Sequence, residues 1–367
     1  MSGRCAIVGG GLAGFTAYAT LRHGGFEPEE IAVFGSDPDP AATWRRRAES
    51  IRQQRMRSES EGHCYPTSFP GLAVREAVRR KRLGPLARTV CNRYNPSVEE
   101  FLGHVEGLRL GSGWEQSFHT GLVETVRPVP GGFEVGGRGA FRHVLLATGH
   151  PGLNLPDELA GDSRVVHAYE PHDYAGEVVV VGAGMAAATE WLNALAAGAT
   201  VVSVRRREPV RRPLNVPRPL LSRRGLAAFH AASAGERMAW LKHWLAPSYP
   251  PGRVWDEPLE QAERDGRFRV AAELNGAKQV LCATGFRRGF AHDSLLALLV
   301  DENGIETQEG WIVLTPDSTV PRLTDATRTL ALAGVQAQWA FPAADTLMGA
   351  KYAARRFLRA VKRCPTR

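Results

Sequence analysis

Long hydrophobic runs are missing from this 367-residue sequence. No apolar stretch reaches the roughly 18 residues needed to cross a bilayer, which excludes a helical membrane span. The first residues carry no basic, apolar, small-residue leader but open a strand and a glycine turn, so a cytoplasmic location is expected. Cysteine is scarce, with five residues at positions 5, 64, 91, 282 and 364. None is paired at C-x-x-C spacing, which excludes a zinc ribbon or a C-x-x-C redox dithiol, and no metal site is expected. Lysine is rarer than a net charge of +8 suggests, since only five of the 46 basic residues are lysine. The arginines are spread along the chain rather than gathered with aromatics, so no nucleic-acid partner is expected. No Ser-His-Asp or paired-carboxylate arrangement stands out, and no low-complexity tail.

What is present is an ordinary globular composition, 43% hydrophobic and 23% charged, in a chain long enough for two cores. Near its start, "CAIVGGGLAGFTAYATLRHGG" predicts a buried strand, a turn and a helix. Gly9, Gly11 and Gly14 form G-x-G-x-x-G, the spacing that lets backbone approach a pyrophosphate at a helix N-terminus. A second copy, "EVVVVGAGMAAATEWLNALAAGATVVSVRRR", has Gly182, Gly184 and Ala187 in the same places. Its second strand ends in Arg205, Arg206 and Arg207, guanidinium groups suited to the 2′-phosphate of NADPH. In the first copy the second strand, "IAVFGSD", ends at Gly35 where such units usually carry an acid. Ser36 or Asp37 is expected to reach the ribose instead, with Gly35 allowing the strand end to bend.

Two strands ending in Ala-Thr-Gly, "HVLLATGHP" with Gly149 and "QVLCATGFRRG", mark where each unit closes. The expected fold class is α/β, with two Rossmann-like dinucleotide-binding domains, one inserted into the other. Residues 1–170 and 288–367 are expected to form the FAD domain and residues 176–287 the NADPH domain. Within the latter, residues 208–258, rich in Pro, Arg and Trp, read as an insertion that covers something or packs on the other lobe.

Taken in order, these segments resemble the flavin-containing monooxygenases, the class that includes Baeyer–Villiger and N-hydroxylating flavoenzymes. "GHPGLNLPDEL", "VVHAYEPHDYAGEVVVVGAG", "HCYPTSFPGL" with "NPSVEEFLGHVEGL", and the closing "LALAGVQAQWAFPAADTLMGAKYAARRFLRAV" carry the likeness. Departures are Gly35, Ala41-Ala42 before Trp44, Gly161 and Ser163 ahead of His167, and Arg57 where many members keep an asparagine. The resemblance implies FAD and NADPH as cofactors, with Trp44, Gly334 and Gln336 joining the glycines around FAD. NADPH reduces FAD, oxygen adds to it, and the flavin hydroperoxide passes one oxygen to a small nucleophile. An amine or amino-acid-like substrate comes first, then sulfur or ketone oxidation. Arg57 is the catalytic candidate, a positive charge beside reduced flavin, against a plain ion pair with Glu59 or Glu61. His167 either contacts the nicotinamide side or serves the linker, and His63 and Tyr65 lie near the flavin or in solvent. The rival functions are an NADPH oxidase or dehydrogenase without oxygen transfer, and a non-catalytic nucleotide-binding protein.

Overall fold

The computed structural model describes residues 3–57, 71–90, 94–213, 216–274 and 278–364. Glu59, Glu61, His63 and Tyr65 lie outside them. A first sheet contains β1 (Gly3–Val8), β2 (Ile31–Gly35), β3 (Phe118–Thr120), β4 (Val126–Val129), β5 (Gly132–Val135) and β6 (Ala140–Leu146). Strands β3, β2, β1 and β6 lie parallel in that order, and β4 and β5 add an antiparallel meander at the start of β6. The second sheet holds β7 (Val165–His167), β8 (Glu177–Val181), β9 (Thr200–Val204), β10 (Phe268–Ala271) and β11 (Val280–Cys282). Its order is β10-β9-β8-β11-β7, all parallel. The chain then returns, and β12 (Thr329–Leu332) pairs with the end of β6, Thr329 opposite His143 and Leu332 opposite Leu146. The first sheet thus draws strands from both sides of the second, and the fold is α/β with two Rossmann-type units.

The strand sequences explain why. Parallel strands covered by helices on both faces need continuous apolar runs, and Cys5 to Val8 and Val178 to Val180 are all buried. Helix α1 (Leu12–His23) follows β1, α2 (Ala42–Ser50) lies beyond β2, α3 (Met185–Ala196) follows β8, and α4 (Leu347–Arg363) closes the chain. Phe15, Tyr18 and Leu21 of α1 share one core with Ala353, Phe357 and Val361 of α4. The small residues of α3, Ala187 and Ala188, let it sit against the second sheet with Trp191 filling the space beyond.

Residues 208–258 carry helices Arg223–Ala231 and Ala234–Leu245 and a two-residue strand, Ser248–Tyr249. These two helices leave the second unit. Phe229, Met238 and Leu241 are buried in one core with Leu295, Trp339 and Phe341 of the returning chain. His230 Nε2 lies 2.7 Å from the Ala340 carbonyl and Lys242 pairs with Glu309 at 2.5 Å. Helix Arg253–Arg264 runs straight across position 258, holding Pro258 in its interior, and buries Leu259 and Ala262 back in the second core. No helix among the described residues is long and apolar enough to cross a membrane.

Candidate dinucleotide site

The first glycine turn has its geometry dictated by close backbone packing. Gly9 sits at φ +111°, and a Cβ there would lie 2.2 Å from the Ala147 carbonyl oxygen. At Gly14 a Cβ would fall 1.9 Å from the Gly9 oxygen, so the third glycine serves helix–strand contact. Gly11 differs, because a Cβ there meets nothing within 4 Å. It N-caps α1, which has no side-chain cap and no acid in its first turn. The free amides of α1 therefore face open space, the arrangement that receives a pyrophosphate.

Gly35 closes β2 against this turn. A Cβ at Gly35 would lie 2.8 Å from the Gly10 amide nitrogen and 3.2 Å from the Phe118 ring. A strand-end acid does not fit there, because Phe118 of β3 already presses Gly10 and Gly35 together. Ser36 lines the cavity beyond. Asp37 is exposed and its Oδ1 accepts the Asp39 amide at 2.9 Å, so its carboxylate is turned into a local loop rather than towards the cavity.

The second turn repeats the backbone but not the space around it. Gly182 is at φ +138°, and its Cβ would sit 2.6 Å from the Ala283 oxygen. Gly184 N-caps α3, again without a side-chain cap or a first-turn acid. Here, however, a Cβ would meet Pro247 Cβ at 3.3 Å and Pro247 Cα at 3.5 Å. Ala187 is buried in the core beneath. Beyond β9, Arg205 pairs with Glu208 at 2.9 Å, and Arg206 pairs with Glu158 of the first unit.

Both turns open on one cavity of about 1450 Å³. Gly9, Gly11, Ser36, Trp44, Arg57, Gly149, Gly182, Gly184, Arg205, Arg206 and Gly334 line it, whereas Gly14, Asp37, His167, Ala187 and Gln336 do not. Trp44 stands edge-on to Phe101 with centroids 5.2 Å apart, one face on the core and one on the cavity. Gly149 at φ +78° and Gly334 at φ +71° bring bare backbone to the wall. The Thr148 hydroxyl and His150 Nδ1, both buried, have no hydrogen-bond partner among the described residues. A glycine cradle, uncapped helix amides and orphaned polar atoms on one wall fit an adenine dinucleotide at the first turn.

Between the units runs an aromatic column that the sequence reading missed. His150 stacks on Phe286 at 4.2 Å, Phe286 on Tyr169 at 4.7 Å, and Tyr169 on His167 at 5.7 Å. The signal was available: His150 and Phe286 are the residues immediately after the two Ala-Thr-Gly runs. Arg47 lies 4.6 Å over Phe286. Arg57 donates to the Thr189 hydroxyl at 2.8 Å, joining the first unit to α3. Burial lowers the pKa of its guanidinium, against the pull of the neighbouring Tyr169 and Glu190. His167 is buried in the linker, its Nδ1 accepting the Tyr169 amide at 3.2 Å. Burial lowers its pKa first, with Glu170 and the Gly285 backbone acting in the opposite direction. Asp345, just ahead of α4, places a carboxylate on the cavity wall that the sequence reading also passed over.

Residues 3–218 match the family described as pyridine nucleotide-disulphide oxidoreductase. No curated protein matches the chain by sequence. Among solved structures, an ornithine N-hydroxylase from Kutzneria sp. 744, with reduced FAD, NADP+ and L-ornithine, is 16% identical with a TM-score of 0.73, covering 99% of each chain. A cadaverine monooxygenase of desferrioxamine biosynthesis from Erwinia amylovora, bound to FAD, is 14% identical with a TM-score of 0.72, covering 99% of this chain and 96% of that one. A bacillithiol disulfide reductase from Bacillus cereus is 15% identical with a TM-score of 0.63, covering 98% of this chain and 99% of that one. At such identities the likeness establishes the shared fold.

Proposed function

The chain belongs to the pyridine nucleotide-disulphide oxidoreductase family, and from that premise we propose that it is an FAD-dependent, NADPH-reduced monooxygenase that oxygenates the nitrogen of a small amine in the cytoplasm. The observation that carries this reading is one cavity faced by two glycine turns, each at the uncapped N-terminus of a helix. Two dinucleotides entering one cavity suit electron transfer from a mobile donor to a resident acceptor. The first unit, with Gly9, Gly11, Ser36, Trp44, Gly149 and Gly334, is assigned to FAD. The second, with Gly182, Gly184, Arg205 and Arg206, is assigned to NADPH. Bound FAD supplies the redox chemistry, accepting reducing equivalents and activating oxygen.

The chain's own residues bind, orient and exclude water. Arg57 and Arg47 put positive charge on the wall between the two turns, where charge developing on a reduced cofactor would be stabilised. The aromatic column and the insertion, through His150, Tyr169 and Phe286 and through Trp244 and Leu245, both line the cavity. Asp345 offers a carboxylate for the ammonium of a second amine, so a diamine or a basic amino acid is the preferred substrate class. The neighbours solved with ornithine or named for cadaverine support it by analogy of fold. The lack of C-x-x-C spacing argues against dithiol-mediated disulfide reduction.

The test is a purified protein that is yellow, is bleached anaerobically by NADPH, and on admission of oxygen yields hydroxylated amine in proportion to NADPH consumed. Peroxide in place of product, across a panel of diamines and basic amino acids, would remove the oxygen-transfer assignment and leave an oxidase.

A further inference from the structure

The two glycine turns are copies of one device, and the second glycine of each is where backbone must approach a pyrophosphate. At Gly11 that space is open, while at Gly184 it is filled by Pro247, with Pro247 Cβ and Cα and the Ser248 amide nitrogen 3.3, 3.5 and 3.7 Å from the Cβ position. A phosphate group cannot share that volume with a proline ring. Pro247 is nonetheless exposed and lines the cavity.

The segment is strung between two anchors. On one side stands helix Ala234–Leu245, whose Met238 and Leu241 are buried in the core of the first unit. On the other is Tyr249, buried in the second core and edge-on to Trp191 of α3 at 5.7 Å. Residues 246–248 therefore bridge the two units across the mouth of the second turn. A latch holds them there. The Arg212 guanidinium donates to the carbonyls of His243, Trp244 and Ala246 and to Ser248 Oγ. Its own amide donates to the Tyr249 carbonyl at 3.2 Å, and Val210 pairs with Ser248 in a short parallel ladder. The latch lies on the same run of chain as Arg205 and Arg206, a few residues past β9.

We propose that residues 246–248 form a strap that gates the second glycine turn, seated on Gly184 by the Arg212 latch and displaced when a nicotinamide dinucleotide binds. The inference rests on the reading of the second turn as an NADPH site. Because its ends are fixed to different units, the strap moves when the units shift relative to one another. Phosphate entering at Arg205 and Arg206 competes with Glu208 and Glu158, and the second of those pairs ties the units together. Nucleotide entry, release of that tie and lifting of the strap are one coupled event.

The experiment measures NADP+ binding to the full-length, FAD-loaded protein by calorimetry, together with hydrogen exchange of residues 244–250. Pro247→Gly removes the ring that fills the turn, and Arg212→Gln loosens the latch without touching the turn. With the strap closed most of the time, Pro247→Gly binds NADP+ at least about ten-fold more tightly, since apparent affinity scales with the open fraction. Arg212→Gln moves the same way, and saturating NADP+ raises exchange at 244–250 in the unaltered protein. Equal affinity in all three proteins, or slower exchange at 244–250 on binding, overturns the gate while leaving the NADPH site in place. Failure of all three to bind NADP+, with FAD retained, overturns the gate and the assignment of the second turn together.

Discussion

A missing Cβ at Gly35 changes how the first turn must be read. The absence of a strand-end acid is a packing requirement of this chain, because Phe118 holds Gly10 and Gly35 too close for a side chain. Gly35→Asp is therefore expected to force the turn apart and to lose FAD, scored as flavin absorbance per protein after desalting. Asp37→Ala is expected to keep it, since that carboxylate serves the Asp39 amide. Loss of flavin from the alanine variant would return the ribose role to Asp37. The glycine turns are legible in sequence because their first positions, Gly9 and Gly182, hold positive φ with backbone where a Cβ would lie. The Gly35 contact is not, since Phe118 comes from a strand more than eighty residues away. At the other turn the Arg206 side chain is exposed and pairs with Glu158. Arg206→Ala is expected to raise the KM for NADPH at least about ten-fold and to leave NADH nearly unchanged, as loss of a phosphate contact requires. Equal weakening of both cofactors would remove the 2′-phosphate role.

Among the elements, the connection between β7 and β8 is fixed to α3 through a buried proton. His172 Nδ1 lies 2.7 Å from the Glu170 carbonyl, which only accepts, so Nδ1 is the donor. Its Nε2 is 2.8 Å from Glu190 Oε2 on α3, an oxygen that also accepts the Tyr174 hydroxyl at 2.7 Å. A proton must therefore sit between His172 and Glu190, and both side chains are buried. Burial pulls the imidazole pKa down, but the Glu190 carboxylate and the Glu170 carbonyl outweigh it and the net shift is upward, with Arg52 opposing. Arg52 stacks over Tyr174 at 4.3 Å and lies 3.6 Å from Asp173, while Arg57 faces the same cluster from Thr189. With the folded pKa above the unfolded one, this contribution is complete below about pH 6.5 and is lost as pH rises through the folded value. Unfolding of the unaltered protein should show that loss as pH rises above about 6.5, and Glu190→Gln should flatten it. Unchanged slopes would show that the pair carries no proton. The sequence reading singled out His167, whose ring accepts the Tyr169 amide and stacks on the Tyr169 ring. Nothing local distinguishes the two histidines, because the partner that decides it sits on α3, eighteen residues further along the chain.

For the molecule as a whole, stability between about pH 6.5 and 4 depends on histidines that the fold keeps neutral. His104, His143 and His150 all have their pKa lowered to about 4, in each case by burial first and by neighbouring arginines second. They lie in different places: a helix flank, the middle of the first sheet, and the cavity wall. His143 is the clearest case, fully buried on β6 between Cys5 of β1 and Thr329 of β12. Neither of its ring nitrogens has a hydrogen-bond partner among the described residues. In the unfolded chain each imidazole binds its proton near pH 6.5, so lowering the pH from there towards 4 draws the equilibrium to the unfolded state. For His143 the slope approaches about 1.4 kcal/mol per pH unit within that window. The His172–Glu190 pair loses stability in the opposite direction. Leucine at 143 removes the protonation without opening a large cavity, and denaturant unfolding at pH 7, 6 and 5 reads the difference. The His143→Leu protein should lose stability less steeply by about one proton's worth of slope. Parallel pH profiles for the two proteins would mean that His143 finds a partner for its proton inside the sheet, and acid sensitivity would then have to be sought at the cavity wall.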